Sequence, residues 1–527
     1  MRRFLLLVNS CLFLIATGSI WAQPVSTASS AVSSKAVSAV PNKTAKKTPS
    51  QKPAESPIIL PLEDAIFLAL RNNPTIKSTE LTRITQKYAV VVARHQFQPN
   101  YSLSGSYTYT ETTSKPAATN YGTSTSLTPA VSLQDVYGTT FTATMTNVLG
   151  RYYNPALALQ ILQPILRGFG RAVTEAGLRN ALDSEEVNKL MLKKSVSTVI
   201  VTIISDYFNW AQRKASFTND QNTLVSYERN VANDLIKYNA GRIAKNDLVQ
   251  DYAQVAKQKV TLEDDSNAIL QARFQLLKDM GLDADTPIQL PSKFDYDEAI
   301  RKFKGPYFQQ EPFLPLEKCQ ELAFINDPNY AISQFGLRSA QRNLTVAEDN
   351  MRWQLNLTAS STRGGGSGGD GNAGIESIFN AKNHVESVGL ALNVPIDDVQ
   401  RKASYLGAKV SLQQAEISFH DLKRQIEINV FNQRNTILSN YKKLLLNKDS
   451  VGLQRQTVEV AQLKHDYGKL SSFELIKDQE SLLNTENQYI ASEIGYLQSL
   501  RDLNETLGVT LDVWGIKLQD FDHAKVN

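Results

Sequence analysis

PLEDAIFLALRNNP, residues 61–74, returns at residues 315–328 as PLEKCQELAFINDP. The same shift still holds where Ala93 meets Ala347, Leu103 meets Leu357 and Ser106 meets Ser360. A second correspondence, at a slightly smaller shift, joins the later parts. Gly241 falls on Gly468, Leu248 on Leu475, Asp251 on Asp478, Leu276 on Leu503 and Gly281 on Gly508. One long unit is written twice, so fold and function must use two similar halves side by side.

Each half carries the same order of elements. A short helix (62–72; 316–326) runs into Asn73-Pro74 or Asp327-Pro328, a capping side chain followed by a proline at the first helical position. A helix of about seven turns follows, ending near Pro99 and near Trp353. Two-residue alternation then takes over. Tyr101, Leu103, Gly105, Tyr107 and Tyr109 face one way and Ser102, Ser104, Ser106, Thr108 and Thr110 the other, with Leu355, Leu357 and Ala359 against Gln354, Asn356, Thr358 and Ser360 in the second half. Return strands carry Leu157, Leu159 and Ile161, and Val388, Leu390, Leu392 and Val394. They end at Pro164 and Pro395, where proline suits a passage from strand to helix. This reading gives four strands per chain, with 111–152 and 363–384 as long polar loops. Thr139 to Thr146 also alternates, and its place is left open.

Proline-free helical patterns follow over Arg171–Tyr238 and Lys402–Tyr467. About 65 residues at 1.5 Å each make a helix of roughly 100 Å. A glycine turn reverses each helix into a second one (Asp247–Met280; Glu474–Leu507). The expected organisation is a first repeat over 57–284, a Pro-, Phe- and Tyr-rich connector over 285–313 that packs at mid-rod, a second repeat over 314–515, and a tail over 516–527.

The chain opens with MRRFLLLVNSCLFLIATGSIWAQ, two arginines before an apolar run and small residues, which reads as a signal peptide over 1–22. Residues 23–56, rich in Ser, Ala, Lys and Thr, cannot bury a core and read as a disordered linker. No later run of apolar residues is long enough for a transmembrane helix, so any membrane entry must be by strands. The net charge of +4 comes without a basic block, which argues against nucleic-acid binding. Cys319 is the one cysteine after the leader, excluding an internal disulfide and a cysteine zinc site. The five histidines lack ligand spacing, so no metal or other cofactor is expected. No nucleophile–base set or phosphate loop appears. GGGSGGDG follows a strand but opens no helix, so it is not a nucleotide loop. The protein does not read as an enzyme.

Four strands cannot seal a barrel in lipid, because open edges leave unpaired backbone groups. Strands of several copies must therefore close together, three chains giving twelve, with a Ser/Thr/Asn/Gln lumen and an outer face of Leu, Val and Tyr. On these residues the chain resembles the TolC-type outer-membrane efflux proteins over about 57–515. The resemblance rests on the duplication, the two Asn/Asp-Pro repeats, LQPILRGFGR and LNVPIDD at the strand ends, and the tip motifs YNAGRIAKNDLVQ (238–250) and YGKLSSFELIKDQ (467–479). It implies an α+β membrane protein, a homotrimer whose twelve-stranded β-barrel continues as a twelve-helix α-barrel. The barrel would sit in outer-membrane lipid, the helices in the periplasm, and the protein would dock to a periplasmic adaptor and an inner-membrane transporter. The function implied is export through a tripartite efflux pump or a type I secretion system.

The same resemblance implies site roles. Gly241, Arg242, Ile243, Ala244, Gly468, Lys469, Leu470 and Ser471 would meet the adaptor at the tips. Asn246, Asp247, Asp251, His465, Glu474, Lys477 and Asp478 would form the periplasmic gate. Asp247 matches a familial acid; Glu474 stands where aspartate is common; Lys477 replaces the next acid, with Asp478 beside it. His465 occupies a position where some members carry a gate-holding tyrosine. The competing reading is a secreted or surface-anchored adhesive rod without transport. The cargo is not written in the sequence.

Overall fold

A computed structural model describes residues 58–114, 118–146, 155–291, 296–305, 315–365, 375–379 and 383–517. The signal peptide, the linker, most of the tail, the centre of the glycine-rich loop and parts of the connector lie outside them.

Both Asn/Asp-Pro junctions form as their chemistry dictates. Helix α1 (Leu62–Asn72) stops at Asn73, whose side chain accepts from the Thr75 and Ile76 amides at 2.8 and 3.3 Å and so caps α2 (Pro74–His95). Asp327 does the same for the Asn329 amide, at 2.8 Å, between the short helix 316–326 and its 328–350 successor. Pro74 and Pro328 lose nothing at a position whose N–H has no helical partner.

A sheet follows α2. Its strands are β2 (Asn100–Ser114), β3 (Ala118–Gln134), β4 (Thr140–Thr146) and β5 (Ala156–Pro164) from the first half, and β7 (Gln354–Gly364) and β8 (His384–Asn393) from the second; β1 (Ile58–Ile59) and β6 (Ile288–Gln289) form a separate parallel pair. The large sheet runs β2-β3-β4-β5-β7-β8, antiparallel throughout. The expectation of four strands per chain is therefore wrong. Among the described residues the sheet has six, because the stretch read as a polar loop holds β3 and β4. The open alternation at 139–146 is β4.

Register sorts the side chains, since directly opposed residues share a face. One face carries Tyr101, Leu103, Leu127, Pro129, Val131, Leu133, Phe141, Met145, Leu157, Leu159, Ile161, Leu357, Val388, Leu390 and Leu392. The other is mostly Ser, Thr, Asn, Gln, Ala and Gly, with Ser106 and Ser126 hydroxyls 2.7 Å apart and Ser360 and Ser387 likewise. On the apolar face Val388 is 78% exposed and Leu103 67%. Tyr109 stacks on Tyr121, ring centres 6.2 Å apart, near the far end of β2.

The sheet passes into helices at Pro164 and Pro395. Ile165 and Arg167 still donate to the backbone of Leu355 and Trp353, and the Gly168 amide donates to buried Asp349 at 2.6 Å. The β3–β4 turn is tied into this passage, because the Gly170 amide donates to the Tyr137 carbonyl at 3.2 Å. After the short α3 (Arg171–Thr174) come α4 (Ala176–Asn239) and α5 (Lys245–Met280), then α6 (Tyr296–Lys304), α7 (Leu316–Asn326), α8 (Pro328–Asn350) and α9 (Glu376–Phe379). The second half, which begins at α7, continues with α10 (Val399–Asp466), α11 (Ser472–Thr506) and α12 (Thr510–Val513). With 64 residues in α4 and 68 residues in α10, each of these helices is about 100 Å long. Near the sheet, four helices lie side by side in the order α2, α4, α8, α10; towards the tips the order is α5, α4, α11, α10. None of the helices among the described residues is long and apolar enough to cross a membrane.

The core sits where the two sets of helices change over. Ile66, Ile76, Val196, Ile200, Ile203, Phe208, Leu276, Met280, Val430, Leu497, Leu503 and Leu507 form one buried cluster with Phe303 of the connector. Phe303 packs on Phe208 and Trp514, centroids 5.8 and 5.5 Å away, which sets the described α6 segment against this core. Cys319 is buried in the same cluster, out of reach of thiol chemistry.

The core also holds the repeat junctions together. Helices α5 and α11 end in left-handed glycines, Gly281 (φ 72°) and Gly508 (φ 69°). A Cβ on Gly281 would lie 2.5 Å from the Asn72 carbonyl oxygen, and one on Gly508 2.5 Å from that of Asn326. Each half thus closes by pressing its last helix end against its own Asn/Asp-Pro junction. In the first half the Asn73 side chain adds a bond, its Nδ2 donating to the Asp279 carbonyl at 2.6 Å.

Candidate functional site

The tips repeat one backbone design. At the end of α4 the Arg242 amide donates to the Lys237 carbonyl at 2.9 Å and the Gly241 amide to Tyr238 at 2.8 Å. At the end of α10 Lys469 donates to Lys464 at 2.8 Å and Gly468 to His465 at 2.9 Å. Six-to-one bonding of this kind needs a left-handed residue, supplied by Gly241 (φ 70°) and Gly468 (φ 71°). Arg242, Ala244, Lys469 and Ser471 are exposed, and Ile243 and Leu470 half-buried.

The acids beyond the turns have different surroundings. Glu474 is exposed and closes a capping box. Ser471 Oγ accepts from the Glu474 amide at 3.3 Å, and Glu474 Oε2 accepts from the Ser471 amide at 3.4 Å. Its carboxylate starts α11. Asp247 is half-buried in the first turn of α5, while Asn246 and Lys477 are exposed and Asp478 half-buried.

Asp251 and His465 turn inward and meet residues that the sequence reading misses. Asp234 of α4 is fully buried, 2.9 Å from Lys237 Nζ and 3.2 Å from His465 Nε2, and it accepts from the Ser472 hydroxyl. Lys237 Nζ also donates to the His465 carbonyl at 3.1 Å, and His465 Nε2 lies 3.3 Å from Ser472 Oγ. Asn230 and Gln479 bridge α4 and α11 at 2.9 Å one turn up. The cluster therefore joins all four tip helices. Burial alone would disfavour an ionised Asp234, but hydrogen bonds from His465, Ser472 and Lys237 outweigh it and hold this carboxyl well below the usual range. Asp251 goes the other way. Burial, then the neighbouring Asp234 and Asp247, push it up to about 7. Asp234 is missed because it precedes the turn. It and Asp251 stand equally far from the middle of the turn, which is the available signal.

Among the described residues no group of His, Cys, Asp and Glu has metal-holding geometry. No family model and no curated protein matches the chain. Solved structures do. The outer-membrane channel OprN superposes with a TM-score of 0.63 at 12% identity, covering 85% of this chain and 89% of that one. The outer membrane protein VceC of Vibrio cholerae gives 0.62 at 14%, covering 85% and 96%, and the outer membrane channel CmeC of Campylobacter jejuni 0.61 at 13%, covering 88% and 90%. Over most of its length the chain has the fold of the TolC-type outer-membrane channels.

Proposed function

We propose that the protein is a passive exit duct through an outer membrane, assembled from three copies. The observation that carries this reading is the sheet. It has an apolar face, a hydroxyl- and amide-bearing face, and β2 and β8 as its two ends. Such an edge in hydrocarbon leaves backbone groups unpaired at several kcal/mol each. Pairing β8 of one copy with β2 of the next closes the wall, and three copies of six strands make eighteen. Energy would come from an inner-membrane transporter, reached through a periplasmic adaptor that grips the exposed Arg242, Lys469 and Ser471 turns.

Asp247 and Glu474 are the acids we place at the narrow end. Glutamine still serves a capping box, so Glu474→Gln removes charge while keeping the helix start. Purified protein in planar bilayers should conduct, and Asp247→Asn with Glu474→Gln should lower cation selectivity and weaken block by multivalent cations. Unchanged traces would remove these residues from the gate. No conductance at all, from a monomer soluble without detergent, would leave the adhesive rod instead.

A further inference from the structure

Asp234 and Asp251 are one rung of a ladder. Helix α4 carries aspartates at 206, 220 and 234 and α5 at 251, 265 and 279, each series with a spacing of two heptads. In an antiparallel hairpin turning between Gly241 and Ala244 they face one another as Asp206–Asp279, Asp220–Asp265 and Asp234–Asp251, every pair symmetric about the middle of the turn. Successive rungs are therefore about 21 Å apart along the seam. An ionised carboxylate only accepts hydrogen bonds, so two that face each other have no donor between them. Accordingly both oxygens of Asp251, 2% exposed, and one of Asp206 meet no donor. A single proton on either member converts such a contact from repulsion to a hydrogen bond.

We propose that α4 and α5 are zipped by three such protons, one shared within each aspartate pair, and that the hairpin loosens as the surrounding medium passes from acid to neutral.

Asp206 is pushed up to about 7 by burial and then by Asp279, with Lys278 opposing; Gln275 donates to Asp279 at 2.6 Å, and Arg501 of α11 is held nearby by Ser205 and Asp502. Asp265 is raised by burial and then by Asp220, with Arg213 opposing and Asp264 adding. Gln258 donates to Asp220 at 2.8 Å, and Lys257 and Glu480 of α11 pair with each other in the same groove. Asp251 faces Asp234 and Asp247, with Lys237, His465 and Ser472 on the far side of Asp234. The second half is an internal control. The shift that lays Gly241 on Gly468 places Gln433 with Thr506, Asn447 with Ser492 and Ala461 with Asp478 at the same rungs, none of them a carboxyl pair.

The sign follows from where the protons sit. Between the ordinary aspartate value of 3.8 and about 7 the closed hairpin keeps protons on Asp206 and Asp251 that the open one has lost, so these two rungs weaken as pH rises through that window and their loss is complete above it. Asp265 is raised as well, so its rung weakens in the same direction. Asp234 itself, held ionised, weakens the fold only below that window.

The test is hydrogen exchange by mass spectrometry on the full chain in detergent, from pH 4.5 to 8, corrected for intrinsic rates. Peptides around Asp206 and Asp251 should open about tenfold more per pH unit, levelling off above about pH 7, and those around Asp265 should slope in the same direction. Peptides from 430–506 should stay flat. Asp206→Asn, Asp251→Asn and Asp265→Asn together supply permanent amide donors and should abolish the slope. Should that variant not assemble, Asp251→Asn alone must flatten peptides near the tip and spare those near Asp206. An unchanged slope in these variants, or an equal slope in both hairpins, overturns the proposal. So does a slope that calcium removes and EDTA restores, which would mean bridging cations.

Discussion

Alanine at both Gly281 and Gly508 should leave no stably folded chain, and so none of the proposed trimer. Each glycine combines a left-handed backbone with a backbone oxygen 2.5 Å from where a Cβ would stand. Neither strain can relax into a flexible side chain, because the obstacle is the Asn72 or Asn326 carbonyl at the turn between two helices. Backbone strain and overpacking together cost about 2–5 kcal/mol per site, a large share of an ordinary domain's stability. Each single variant should melt well below the parent by circular dichroism. The double variant should run as aggregate or monomer on size exclusion in detergent. Gly452→Ala is the control. This glycine is exposed inside α10, well before its last turn, with open space around it, so alanine should be neutral or stabilise the helix by up to about 1 kcal/mol.

Breaking the pair between Arg83 and Glu185 should be nearly as damaging. Arg83 of α2 is 1% exposed and grips Glu185 of α4 with both terminal nitrogens, at 2.9 and 2.6 Å. Removing one partner strands a desolvated charge, at about 3–5 kcal/mol, whereas replacing both with apolar groups of similar volume is often neutral. Arg83→Ala should therefore lower the melting temperature sharply, and Arg83→Met with Glu185→Leu should recover most of the loss. A double-mutant cycle measures the coupling directly. Additive losses, with no recovery in the pair, would show that the contact does not hold α2 to α4.

Much of the architecture is readable because it is duplicated and periodic. The Asn/Asp-Pro caps, the two glycine turns and the long proline-free helices lie within a few residues of their expected places, since each depends on local backbone chemistry. The hairpin of β3 and β4 is not readable in this way. Its β3 strand has Thr123 and Thr125 on the same face as Leu127 and Pro129, so polarity does not alternate, and proline ordinarily speaks against a strand. Pairing of β4 begins only at Ala130, which leaves Pro129 beside an open edge where proline is tolerated. At the tips, residue type gives position but not orientation. Glu474 and Asp247 look alike in sequence, yet one is engaged in a cap and the other leans towards Asp251. Only packing across four helices separates these surroundings.

In the proposed barrel the additional hairpin would also set the calibre of the wall. A strand inclined by about 40° at about 4.8 Å spacing occupies roughly 6 Å of perimeter. The six strands of one chain therefore cover about 38 Å. Four helices side by side, packed about 8–10 Å apart, cover about 32–40 Å. Four strands would cover only about 25 Å and would force a funnel at Pro164 and Pro395. With six, the two materials match in width, and a solute travelling up the proposed conduit would cross from helix to sheet without meeting a shoulder.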